Sequence, residues 1–280
     1  MDEKKSFFET LKPGSALALG VVGGVLLLGT IGFIVLGVIM LKGSGNAVAK
    51  TDNTVKVAQQ AQTQQNNQQA QTTVTKSDRP KAELFVMAYC PYGLQMEKAY
   101  LPAMQLLKNK ADIDVKFVYY SMHGQKEIEE NTRQYCIEKD QMDKYVSYLT
   151  CFTGKDDYKA CLASAGINQT KLNSCTAAAD KQFGIMADFN DQSKWLSGQY
   201  PLYPVYTDLN QQYGVQGSPT LIINGAEAQA DRTPEAVKQA ICAAFNTAPA
   251  ECKTILSKTA TAAGFGTAAG TNASAAACGS

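Results

Sequence analysis

Apolar and polar positions change period several times along the chain, and each change marks an element. From Ala16 to Leu41 no residue is charged, a run longer than the roughly 20 residues that span hydrocarbon. It predicts one transmembrane helix over 16–41, after a short N-terminal tail of residues 1–15. Residues 42–80 then turn to Gln, Asn, Thr, Ala and Lys with almost nothing to bury, the composition of a flexible linker. Glu83 to Tyr89 is an apolar run of strand length ending at Cys90-Pro91. Beyond it Leu94, Met96, Ala99, Tyr100, Ala103, Met104, Leu106 and Leu107 recur at helical spacing and predict a helix to about residue 108, bent at Pro102. Asp112 to Tyr120 alternates and then runs apolar, which is a second strand. The three elements make a βαβ unit whose strands should be parallel and adjacent.

The next stretch, about 121–208, reads as a helical insertion carrying Cys136, Cys151, Cys161 and Cys175. Leu209 to Gly225 gives a short helix, a turn, a strand opened by Pro219 and a hairpin turn at Asn224-Gly225. Thr233-Pro234 supplies an N-cap and a proline at the first position of a last helix, which turns Val237, Ile241 and Cys242 inward. Residues 253–280 are mostly Ala, Gly, Thr and Ser, a low-complexity tail, so the folded domain is placed at 81–252.

Charge alters this picture little. The formal net charge is +1 and 18% of residues are charged, with no basic patch that would serve nucleic acid. Lys4, Lys5 and Lys12 before the apolar run are balanced by Lys42, Lys50 and Lys56 after it, so flanking charge does not set its orientation. The eight cysteines do: all follow the run, and that density fits an oxidising compartment. The expectation is a single-pass anchor with a cytoplasmic N-terminus and an extracytoplasmic domain. A cleaved leader is the alternative, with Gly43-Ser44-Gly45 as its weak cleavage site.

Cys90 stands where a strand turns into a helix. A thiol there faces free N–H groups and the positive end of the helix dipole, which favours the nucleophilic thiolate. The bland alternative is an inert buried cysteine. Cys90-Pro91-Tyr92-Gly93 resembles the Cys-x-x-Cys turn of the thioredoxin-like superfamily, with Gly93 in place of the second cysteine. Gly217-Ser218-Pro219-Thr220 resembles the same superfamily's cis-proline loop, which implies that Ser218 and Pro219, with Pro91, Tyr92 and Gly93, form the substrate-binding surface. The resemblance implies an α/β, thioredoxin-like fold; with the cysteine-bearing insertion and the apolar run, the expected architecture is that fold with a disulfide-bearing helical insertion, preceded by one transmembrane helix.

Within that superfamily the chain is similar to DsbA-like proteins and to gamma-interferon-inducible lysosomal thiol reductases. The reductase signature is matched by His123, Gly124, Glu127, Asn131 and Cys136, whereas two signature cysteines are replaced by Ser121 and Ile128. His123, the one histidine, has two readings: a modulator of the thiol, or a structural donor. Setting aside Cys90 and Cys278 leaves six cysteines and 15 pairings. Locality favours Cys242 with Cys252 and Cys151 with Cys161, leaving Cys136 with Cys175. No Cys/His set has metal-ligand spacing, and neither a metal nor a cofactor is expected.

The function read from these features is a membrane-tethered, extracytoplasmic thiol–disulfide oxidoreductase, reductase- or isomerase-like, acting on thiol or disulfide-containing proteins through Cys90 alone. A lone thiol cannot resolve its own mixed disulfide, so release is expected from a low-molecular-weight thiol, a second protein, the substrate itself or Cys278 on the tail. The alternative is a thioredoxin-fold binding module without catalysis.

Overall fold

The computed structural model describes residues 74–271 and 276–279. The expected membrane helix over 16–41 lies outside them, as does the linker up to residue 73; among the described residues no helix is long and apolar enough to cross a membrane.

A four-stranded mixed sheet carries the domain. Its strands are β1 (Lys81–Val86), β2 (Asp112–Phe117), β3 (Thr220–Ile223) and β4 (Ala226–Glu227), in the order β2-β1-β3-β4. β1 runs parallel to β2, with Leu84 opposite Val115, and antiparallel to β3, with Leu84 opposite Leu221. Side chains alternate across a strand, and β1 uses both faces. Ala82, Leu84, Val86 and Ala88 enter the larger core, whereas Phe85 and Met87 join Cys90, Tyr120, Val215 and Ile222 in a second cluster on the other side. From Leu84 onward the strand is apolar because neither face meets water, while Lys81 and Glu83 pair with each other at its start.

The helices in chain order are α1 (Pro91–Leu107), α2 (Gln125–Asp140), α3 (Met142–Lys155), α4 (Tyr158–Ser164), α5 (Gln169–Phe183), α6 (Ile185–Asn190), α7 (Thr207–Tyr213) and α8 (Pro234–Ala243). Pro102 lies inside α1, and the Thr233 side chain caps α8 by accepting the Ala236 N–H at 3.1 Å. α2 to α6 are the helical insertion. Asn224 and Gly225 turn β3 into β4 with φ of 49° and 82°, the left-handed conformations that an Asn-Gly turn supplies.

Both domain boundaries need correction. Before Lys81, the Ser77 N–H donates to the Ala244 carbonyl at 2.9 Å, and its own carbonyl accepts the Asn246 N–H at 2.8 Å. Beyond Cys252, the residues expected to form a tail pack on the domain. Phe265 lies edge-on to Tyr89 and Phe152, with ring centroids 5.7 and 5.3 Å away. Lys98 Nζ donates to the carbonyls of Ala262, Gly264 and Gly266 at 2.8, 2.7 and 2.9 Å. Gln95 Nε2 donates to those of Thr261 and Thr271 at 2.6 and 2.9 Å. A segment poor in large side chains is thus bound through its backbone.

Candidate active site

β1 delivers the chain to Cys90, which caps α1. Its sulfur accepts the Gly93 N–H at 3.3 Å, and the Cys90 N–H donates to the Met87 carbonyl at 2.9 Å. Pro91 follows at the first helical position, where a missing N–H costs nothing. Negative charge developing on the sulfur therefore meets a helix N-terminus and a direct donor, the surroundings that lower a thiol pKa.

The Ser218–Pro219 peptide bond is cis and lies against this turn. The Ser218 carbonyl oxygen is 3.4 Å from Cys90 Sγ, and Ser218 Oγ accepts the Met87 N–H at 2.9 Å. Ser218 thereby ties the proline loop to the end of β1. A Cβ at Gly93 would stand 2.6 Å from that hydroxyl and 3.1 Å from the Met87 carbonyl, so the position suits only glycine while Ser218 is in place.

The signature positions of the 121–136 segment converge behind the loop that leads to Cys90. Asn131 Oδ1 accepts the Ala88 N–H at 3.2 Å, and the buried Glu127 accepts the Tyr89 N–H at 3.0 Å. Glu127 also accepts Ser121 Oγ at 2.7 Å and the Met122 N–H at 3.0 Å, and lies 2.7 Å from His123 Nδ1. Burial alone would raise the Glu127 carboxyl; the bonds from His123, Ser121 and Tyr89 outweigh it and hold it below the ordinary value. His123 is paired with this carboxylate.

Cys278, one of the resolving partners expected above, is disulfide-bonded to Cys90 across 188 residues of sequence. The tail brings it there as a short antiparallel partner of the proline loop. Ser218 N–H donates to the Cys278 carbonyl at 2.8 Å, and Cys278 N–H donates to the Ser218 carbonyl at 2.7 Å. Upstream, Arg232 donates to the Ala276 carbonyl and, at 3.1 Å, to Gln95 Oε1, while its guanidinium lies 5.6 Å from the Tyr92 ring centroid. Thus Tyr92 of the turn and the tail share one cation. Elsewhere disulfides join Cys136 to Cys175, Cys151 to Cys161 and Cys242 to Cys252, remote in role from the Cys90 turn.

Sequence reasoning did not single out Lys98, Gln95, Arg232 or Tyr120. All four hold the C-terminal segment or flank it through contacts at least 44 residues apart in sequence, and no local pattern announces such contacts.

No family model matches the chain, and no curated protein matches it significantly. Solved structures similar to it are thiol–disulfide proteins. Reduced DsbA from Mycobacterium tuberculosis is 16% identical with a TM-score of 0.42, over 64% of this chain and 93% of that one. The disulfide bond oxidoreductase DsbG from the same organism is 14% identical with a TM-score of 0.43, over 64% and 88%. BdbD from Bacillus subtilis is 17% identical with a TM-score of 0.41, over 65% and 92%. At these values no residue role is carried across.

Proposed function

We propose that the chain is a membrane-tethered, extracytoplasmic thiol–disulfide oxidoreductase whose redox centre is the pair Cys90 and Cys278. The observation that carries this reading is the position of Cys90, a helix N-cap whose sulfur receives the Gly93 N–H and is bonded to Cys278 beside Pro219. The charge-free run over 16–41 and the placement of every cysteine after it support the tether and the compartment. The residues shared with the thiol reductase signature support a reductase- or isomerase-like role, since they brace the turn that bears Cys90.

In the reductase direction the Cys90 thiolate attacks one sulfur of a substrate disulfide, giving a mixed disulfide and releasing one substrate thiolate. Cys278 then attacks the Cys90 sulfur. The second substrate thiolate leaves and the Cys90–Cys278 bond forms, so the substrate gains two electrons and the enzyme loses two. A low-molecular-weight or protein thiol returns the pair to the reduced state. Cys278 takes the resolving role that the missing second cysteine of the turn would have.

The test is turnover of a protein disulfide with an external thiol as reductant, in full-length protein. Cys90→Ser should abolish the activity. Cys278→Ser should accumulate a mixed disulfide on Cys90 with a lifetime at least about tenfold longer. If Cys90 of the reduced protein alkylates with an unshifted pKa near the free value of about 8.5, and neither substitution changes turnover, the chain is a binding module instead.

A further inference from the structure

The last described residues sit in the site as a ligand would. Ala276 to Gly279 run beside the proline loop, held by the reciprocal Ser218–Cys278 backbone pair, by Arg232 on the Ala276 carbonyl, and by the disulfide. The loop is shaped to receive them: a Cβ at Gly217 would stand 2.7 Å from the Gly279 carbonyl and 2.8 Å from that of Cys278. None of these contacts is made to a side chain of the segment except the cysteine sulfur. Any chain with the same backbone course could make them.

One position is selective. Gly279 has φ of +76°, and a Cβ on it would overlap the Tyr120 hydroxyl oxygen and stand 3.0 Å from Tyr120 Cζ. Tyr120 cannot easily yield, because it is 4% exposed, donates to the Gln216 carbonyl at 2.8 Å and packs against the rings of Tyr119 and Tyr200. Both the left-handed backbone and the tyrosine demand glycine after the cysteine.

Resting on the oxidoreductase reading above, we propose that the groove beside Pro219 takes protein segments in which the reactive cysteine is followed by glycine, with Tyr120 as the residue that sets this preference and Ala276–Gly279 as the resident copy of such a segment. A substrate and the tail compete for one set of backbone bonds. Return of the tail then both resolves the mixed disulfide and clears the groove. The contact of Arg232 with a carbonyl two residues before the cysteine selects a polypeptide over glutathione, which has the Cys-Gly unit but no residue at that place.

The experiment uses full-length protein carrying Cys278→Ser, reduced, with peptides activated as mixed disulfides of thionitrobenzoate, whose release reports attack by Cys90. Acetyl-Ala-Ala-Cys-Gly-amide should react at least about tenfold faster than the same peptide with alanine after the cysteine, the size expected from the cost of a left-handed non-glycine residue. Glutathione activated in the same way should react more slowly than the glycine peptide. Tyr120→Phe, which removes the hydroxyl and keeps the ring, should bring the glycine-to-alanine ratio down at least about threefold; Tyr120→Ala gives the same readout with more space. Equal rates for the two peptides would overturn the preference, and a ratio that neither tyrosine variant changes would overturn the role of Tyr120; either result leaves the oxidoreductase reading intact. A glutathione derivative as fast as the glycine peptide would assign the groove to a small thiol instead. Failure of Cys90 to react even with the free aromatic disulfide would overturn both.

Discussion

The Ser218 hydroxyl fills the space that a second cysteine of the active-site turn would occupy: a Cβ at Gly93 would lie 2.6 Å from Ser218 Oγ. The hydroxyl is itself fixed by the Met87 N–H at 2.9 Å. Substituting Gly93→Cys should therefore lower stability by about 1–3 kcal/mol, the usual cost of overpacking. It should do so without creating a dominant bond between positions 90 and 93. Adding Ser218→Gly removes the obstruction, and melting curves of the single and double variants, with peptide mapping of the disulfides, would show whether stability recovers.

Lys98 is the main side-chain anchor of the C-terminal segment, donating to three of its carbonyls. Its ammonium is drawn down from the ordinary lysine value by burial, with Glu97 opposing. Lys98→Met leaves those carbonyls without a charged donor and should cost roughly 1–3 kcal/mol. It should also slow closure of the Cys90–Cys278 bond after reduction, because the tail is no longer held close to its partner. Stopped oxidation with acid quenching and alkylation would measure that rate.

Glu97 gives the fold a pH signature. Burial pushes its carboxyl up to about 8, with Glu130 adding to the rise and Lys98 opposing it, and both of its oxygens lack a hydrogen-bond partner among the described residues. A carboxyl raised in the fold keeps a proton that the unfolded chain gives up near 4.5. Its contribution is present below that pH and is lost as pH rises towards 8, since the native state then binds more protons than the unfolded one. Denaturant midpoints from pH 5 to 8.5 should fall in the wild type. Glu97→Gln should flatten the fall by about 2–4 kcal/mol. Glu138, pushed by burial up to about 7, accounts for a remaining slope of the same sign.

The chemistry of the turn is visible in the sequence because it is local. Cys90-Pro91 marks a strand running into a helix, Pro219 opens β3, and Asn224-Gly225 closes the hairpin within a few residues of each other. The C-terminal segment is invisible for the opposite reason. Its Ala, Gly and Thr residues carry no apolar period, and what binds them is written elsewhere, in Lys98, Gln95 and Arg232. Leu256 and Phe265 are the large apolar side chains of the segment that pack on the core and could have hinted at docking. Likewise Glu127 and Asn131 read as positions in a signature, and only the fold shows that they hold the backbone of Ala88 and Tyr89. The 16–41 segment stays outside the described residues, so the anchor rests on sequence alone.

The account turns on Cys90 and Cys278 being a redox couple and not two independent thiols. A redox titration of the full-length protein, read by differential alkylation and mass spectrometry of each cysteine, tests it most directly. Cys90 and Cys278 should become labelled together, at one potential, as a two-electron couple, while Cys136, Cys151, Cys161, Cys175, Cys242 and Cys252 remain protected. Labelling of Cys278 in the fully oxidised protein, or opening of Cys90 at a potential where Cys278 is already free, would contradict it.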